Sequence, residues 1–376
     1  MTRSTSTLTE LAVLFLRLGA TSFGGPVAHI AMMEDEVVHR RAWLTREAFL
    51  DLVGATNLIP GPNSTELAMH VGHQRAGWRG LVVSGVAFIL PAAILVGVLA
   101  WGYVRYGSLP AVLGVLRGMK PVVLIVVLQA LYRLGRTALR TPVLVGLAIV
   151  ALAAVAAGVN ELLVLLLCGV SHAAATVIGS RRGEALPLGY LLAVAPSGMN
   201  TVPYGVGTMF LFFVKTGAVL FGSGYVLIAL LRADFVERLG WITQAQLFDA
   251  ITIGQATPGP VFTAATFVGY LLGGVGGATA ATIGIFLPAF IFVAVSGTVL
   301  PRLRTSPEFR AGLAGVNVAS LALMAVVAWQ LGRSSVVDVP TAALAALTGW
   351  ILLRFQLNSM WLVLMGALAG VLFMHT

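Results

Sequence analysis

Two stretches of this chain combine residue types that could hold an anion. Asn57-Leu58-Ile59-Pro60-Gly61-Pro62-Asn63-Ser64-Thr65-Glu66 recurs 198 residues later as Gln255-Ala256-Thr257-Pro258-Gly259-Pro260-Val261-Phe262-Thr263. Each proline lacks a backbone donor, clashes with the preceding turn, and pushes the residue before it out of the α region. A helix arriving at Leu58 must therefore stop, turn through Pro-Gly-Pro and restart near Asn63. A restarted helix presents unpaired N–H groups and a partial positive charge, which is the chemistry of non-covalent anion capture. Ser64, Thr65 and Thr263 could add hydroxyl donors; the plainer alternative is that Asn63 and Thr65 only cap their helix.

Charged residues are few enough to consider singly. Arg17 and Lys215 occupy matching positions in apolar runs. A cation at membrane depth is costly and usually faces an interior or a cavity, so this pair is the best-placed compensating charge for an anion; snorkelling to an interface is the alternative. Lys120 and Arg117 are weaker candidates, because Asn317 and Ala314 stand at their matching positions. Asp51 and Asp249 align, whereas Glu66 has no acidic counterpart. An ionised carboxylate would repel a bound anion, so protonation of Asp51, Glu66 or Asp249 is a candidate coupling step. The alternatives are a capping role for Glu66 in Asn63-x-x-Glu66, and ion pairs of the aspartates with Arg17 or Lys215.

Glu66, His70 and His73 share one helical face, which invites a metal reading. The second half offers Phe267 and Tyr270 at the last two positions and no further ligand, so neither a metal nor another cofactor is expected. The sequence lacks His-Glu-x-x-His, Gly-x-Ser-x-Gly and a local pair of catalytic aspartates. No catalytic residue, and no enzyme, is expected.

The elements that must position these groups are membrane helices. Hydrophobic residues make up 58% of the chain and charged residues 10%, with a mean hydropathy of +0.95. That composition excludes a soluble globular protein. The net charge of +9 comes from arginines scattered between apolar runs, a positive-inside pattern rather than a nucleic-acid-binding one. The single cysteine, Cys168, excludes a disulfide framework. No cleavable signal peptide is evident.

From Thr45 to Ile59 a helix rises only about 21 Å, and from Asn63 to Gln74 about 17 Å, against a hydrocarbon core about 30 Å thick. The expectation is a re-entrant helical hairpin that turns at Pro-Gly-Pro; one long kinked helix from Thr45 to Gln74 is the alternative. Thr45 and Thr243 are the expected helix starts, with Gln246 completing a capping box. Thr21-Ser22-Phe23-Gly24-Gly25-Pro26 marks an unwinding or close-packing point within the first span, and Gly24, Gly25 and Gly222 join the candidate binding residues.

Correspondence extends well beyond the two motifs. Gly19, Phe23 and Gly24 match Gly217, Phe221 and Gly222; Trp43, Thr45 and Asp51 match Trp241, Thr243 and Asp249; Leu90-Pro91 matches Leu287-Pro288. A nearly constant offset over such a length is a duplication. Residues 1–182 form a first repeat, 183–206 a linker or interfacial segment, and 207–376 a second repeat. The fold class is an all-α integral membrane protein. Each half carries five spans plus a hairpin, and five being odd, the halves are inverted. Arginines 40, 41, 46, 75 and 79 around the first hairpin agree with that orientation.

Phe23-Gly24-Gly25-Pro26, followed by the whole Asn57–Glu66 motif and by Val71-Gly72-His73-Gln74-Arg75-Ala76-Gly77-Trp78-Arg79-Gly80, resembles the chromate ion transporter family in its long, two-domain form. The resemblance implies efflux of chromate across a bacterial inner membrane, driven by the electrochemical gradient, with sulfate as a look-alike anion. The second half departs from the pattern, with Ser223-Gly224 in place of Gly25-Pro26. The implied site gathers Asn57, Pro60, Gly61, Pro62, Asn63, Ser64 and Thr65 with Gln255, Pro258, Gly259, Pro260 and Thr263. The expected partners are a chromate- or sulfate-like oxyanion, the lipid bilayer and a second copy in a homodimer, with no nucleic acid. An anion channel of the same fold would use the same groups.

Overall fold

The computed structural model describes residues 2–179, 203–221, 226–355 and 359–373, and the regular structure among them is entirely helical. The first apolar run is broken as its glycines require. Helix α1 (Thr2–Thr21) stops, Gly24 takes up a left-handed φ of 102°, and α2 (Gly25–Glu34) restarts with Pro26 in its first turn. A π-helical turn, Asp35–Arg40, closes it. The second half repeats the plan with α8 (Val206–Val219), α9 (Val226–Leu231) and a π-helical turn at Arg232–Arg238. Gly222 and positions 183–202 of the expected linker lie outside the described residues.

Helix α3 (Arg46–Thr56) starts at Thr45, whose hydroxyl accepts from the Ala48 N–H at 3.2 Å. It ends at Thr56, short of the expected Ile59, because Ile59 precedes Pro60 and is held out of the α region. Gly61 then adopts a φ of 141°, and α4 (Asn63–Tyr106) begins with Pro62 at its N-cap. One kinked helix from Thr45 to Gln74 does not form.

Helix α4 itself breaks at Ala76 and Gly77, where Gly77 has a φ of 61°. Beyond that break the chain doubles back on itself. A Cβ on Gly72 would strike the Gly80 carbonyl and Ser84, and one on Gly85 would touch Met69, a pairing that only antiparallel neighbours give. In the second half, α10 (Gln244–Ala256) opens with the Thr243–Gln246 capping box. A 3-10 turn at Val261–Thr263 leads into α11 (Ala264–Thr305), which breaks at Gly273 and Gly274. There Gly269 meets Gly277, and the Thr266 and Thr282 hydroxyls lie 2.7 Å apart. Each Pro-Gly-Pro turn thus joins two short helical arms, followed by a long helix.

The remaining helices are α5 (Pro110–Ala138), α6 (Pro142–Ala156), α7 (Glu161–Gly179), α12 (Pro307–Ser335), α13 (Val339–Phe355) and α14 (Ser359–Phe373). Among the described residues, four helical segments are long and apolar enough to cross a membrane: Asn63–Tyr106, Pro110–Ala138, Val261–Ser296 and Pro307–Ser335. Their exposed faces carry Leu90, Ile94 and Val98 on α4, and Ile283, Leu287 and Ile291 on α11. This is a multi-pass membrane protein, with backbone polar groups satisfied inside helices.

The halves exchange helices. Helix α5 packs on α14, with Gly118 against Gly366 and Gly370; α12 packs on α7, with Gly315 against Cys168 and Gly169. Gly19 of α1 meets the Phe88 carbonyl of α4, and Gly217 of α8 meets the Ile285 carbonyl of α11. Small residues let these backbones approach closely, as membrane helices without a hydrophobic drive between them require. An apolar cluster including Phe15, Phe49, Leu67 and Phe88 binds α1, α3 and α4 together.

Candidate functional site

The two Pro-Gly-Pro turns meet the unwound ends of the other half's first helix. Gly61 N–H donates to the Leu220 carbonyl at 2.7 Å, and Gly259 N–H donates to the Ser22 carbonyl at 2.9 Å. The fit leaves no room for side chains. A Cβ on Gly259 would lie 2.7 Å from Ala92 Cβ and 2.9 Å from the Gly19 carbonyl oxygen; one on Gly61 would strike the Glu66 carboxyl group. Pro258, Gly259 and Pro260 are buried, as are Gly61 and Pro62.

Neither Asn63 nor Glu66 caps α4. The Pro62 carbonyl accepts from Thr65 N–H at 2.8 Å and from Glu66 N–H at 3.0 Å, while the Asn63 side chain donates instead to Asn57 Oδ1 at 2.7 Å. The backbone N–H groups of Asn63 and Ser64 precede the helix's own bonding and have no side-chain cap. Thr65 Oγ1 and both Glu66 carboxyl oxygens are buried without a hydrogen-bond partner.

A residue that neither motif contains completes this end. His29 of α2 is buried, with Nε2 3.1 Å from the Ser22 carbonyl oxygen and Nδ1 3.2 Å from Ser64 Oγ. A carbonyl can only accept, so Nε2 donates; with the proton there, Nδ1 accepts from the Ser64 hydroxyl. The Ser22 carbonyl, which also receives Gly259 N–H, therefore links both hairpins to His29. The one signal for it in the sequence was a histidine among apolar residues just after Gly24-Gly25-Pro26; Leu227 stands at the matching position.

The second hairpin is built differently. Thr263 Oγ1 donates to the Pro260 carbonyl at 2.8 Å, and Gln255 Nε2 is buried without a partner. Asp249 is buried between Lys120 Nζ at 2.7 Å and the Tyr103 hydroxyl at 2.8 Å. Its counterpart Asp51 is exposed on α3. The aligned cations pair with neither aspartate: Arg17 binds Glu36, and Lys215 Nζ lies 2.8 Å from Asp234. Arg117 pairs with Asp338. Among the described residues, no group of three or more histidine, cysteine or acidic side chains could hold a metal ion.

The family model described as "Chromate transporter" matches residues 9–173 and again 207–371. The chain belongs to the chromate transporter family. Its two matched stretches are the two halves whose contacts recur in the fold. A "Chromate transport protein" of Cupriavidus metallidurans is 31% identical, the alignment covering 97% of this chain and 93% of that one. A protein of the same description from Pseudomonas aeruginosa is 31% identical over 96% of this chain and 91% of the relative. A "Probable chromate transport protein" of Synechococcus elongatus is 29% identical over 97% and 95%. No solved structure matches the chain.

Proposed function

We propose that this protein exports chromate across a bacterial inner membrane as a secondary-active transporter. The observation that carries the reading is the paired docking of the hairpins, Gly61 on Leu220 and Gly259 on Ser22, which gathers both Pro-Gly-Pro turns beside two broken helices. Broken helices in corresponding positions of two repeats are where transporters bind substrate, with helix N-termini directed at anionic groups. The names of the full-length relatives supply the substrate. On this reading the halves are inverted, with five spans and a re-entrant hairpin each, and alternate access around a fixed central site.

The N–H groups of Asn63 and Ser64, with the Thr65 hydroxyl, are the first hairpin's donors to the oxyanion; Val261 and Thr263 begin the corresponding end. Arg17 and Lys215 supply positive charge as their contacts with Glu36 and Asp234 rearrange. Glu66, buried without a partner, is the foremost coupling group, because ionising it there without a neutralising neighbour is costly. Asp51 and Asp249 are the further coupling candidates.

Purified protein in sealed vesicles tests the reading. Chromate flux that follows an imposed proton or potential gradient is expected. Flux that runs downhill at channel-like rates and ignores the gradient would make this an anion channel. Sulfate flux without chromate flux would change the substrate, since both are tetrahedral dianions.

A further inference from the structure

Beside the first hairpin lies a cavity of about 480 Å³ whose polar lining is Asn57, Asn63, Thr137, Arg140, Asn317 and Ser320. It touches the start of α4, the end of α5 and the middle of α12. Its chemistry is one-sided: among the described residues no carboxylate lines it, Asn57, Asn317 and Ser320 can donate, and Arg140 adds a positive charge, while the Thr137 hydroxyl donates to the Leu134 carbonyl. Asn57 and Asn63 are tied to each other at 2.7 Å, which leaves the Asn57 amide hydrogens as donors. Ser320 is 5% exposed, and its hydroxyl has no hydrogen-bond partner. A buried hydroxyl left unpaired costs free energy unless a ligand or water engages it.

The repeat does not duplicate this cavity. At the positions matching Arg140, Asn317 and Ser320 stand Val337, Lys120 and Val123, and Lys120 is neutralised by Asp249. Among the described residues, those three matching positions do not rebuild the donor-rich wall beside the second hairpin.

We infer that this cavity is a docking site for a tetrahedral oxyanion on its way to the first hairpin, with Arg140, Asn317 and Ser320 in contact with the anion. The inference rests on the transport reading above. Arg140→Gln and the near-isosteric Ser320→Ala are compared with wild type in chromate flux from sealed vesicles, with Arg136→Gln as the control, a likewise exposed arginine in the last turn of α5 that does not line the cavity. Each cavity variant is expected to raise KM about tenfold, the loss of one hydrogen bond to a charged group, with maximal flux little changed and Arg136→Gln unaffected. A second readout does not need transport. In a Cys168→Ser background, Thr137→Cys is labelled with a maleimide, and molybdate, a non-oxidising tetrahedral dianion, is expected to slow the labelling where chloride does not. Wild-type KM in both cavity variants, or labelling blind to molybdate, would overturn the docking site while leaving chromate transport intact. Absence of chromate flux from wild type would overturn the transport reading, and molybdate protection would then still mark an oxyanion site.

Discussion

Gly61 N–H reaches the Leu220 carbonyl at 2.7 Å across the boundary between the two halves, and its counterpart Gly259 reaches Ser22 at 2.9 Å. Both acceptors sit where a first helix has come unwound, so each broken helix is completed by the other half's turn. The orphan carbonyl of one break and the orphan N–H of the other satisfy each other, as buried backbone groups must.

Both glycines hold left-handed φ values, 141° and 88°. Gly61→Ala and Gly259→Ala are each expected to lower stability by about 1–3 kcal/mol through backbone strain, with further loss from the clashes. Gly97 sits on a helical backbone with open space within 4 Å of where a methyl group would stand, and it should accept alanine without loss. Thermal unfolding in detergent compares them; equal midpoints for all three variants would show that the docked turns are not tightly packed.

Pro60→Ala combined with Pro62→Ala should abolish chromate flux while protein still reaches the membrane. Without the prolines the chain can run on as helix, and the N–H groups at Asn63 and Ser64 become bonded within it. Thr65→Val keeps shape and removes one buried hydroxyl, weakening apparent affinity by roughly 1–2 kcal/mol if that hydroxyl is a ligand. Wild-type flux from a well-expressed double-proline variant would count against the hairpin as the transport site.

Lys120, itself partly exposed, pairs with the buried Asp249 of the other half. Lys120→Met leaves the aspartate uncompensated and should cost about 3–5 kcal/mol, whereas adding Asp249→Asn should recover much of that loss. Unfolding midpoints of the two single variants and the double variant measure the coupling. Strict additivity would mean the two charges do not stabilise each other.

His29→Leu gives the first half the residue found in the second. It should leave the fold intact and lower flux about tenfold or more, because Ser64 and the Ser22 carbonyl lose their common partner. His29→Gln, whose amide can still donate to that carbonyl, should retain an intermediate flux. If leucine and glutamine variants transport alike, the bridge is not used.

Single cysteines at Arg75 and Val275, in a background without Cys168, should label from opposite faces of the membrane. Both positions flank the glycine breaks that follow the hairpins, and Val275 is 72% exposed. Labelling from one face would end the inverted arrangement and the central site with it.

The parts of this protein legible in the chain were those imposed locally. Prolines 60, 62, 258 and 260 cannot continue a helix, Gly24 and Gly25 permit what other residues resist, and Thr243 with Gln246 makes its cap from residues three apart. Such constraints act within one turn of helix, and a repeat of them exposes itself by spacing alone. Partner choice acts across the whole chain and left no such trace. Arg17 could have met Asp51, yet the π-helical turn after α2 brings Glu36 to it; Lys215 likewise meets Asp234. Asp51 and Asp249 align in sequence but part in space, one exposed and the other buried under Lys120 and Tyr103, both donated by the opposite half. His29 gains its place only because Ser64 of α4, distant in sequence, closes on it beside the Ser22 carbonyl of the break after α1. Side-chain chemistry is carried by each residue, but its partners are set by which helices the two halves exchange, and that exchange is decided by close packing at glycines far apart in the chain.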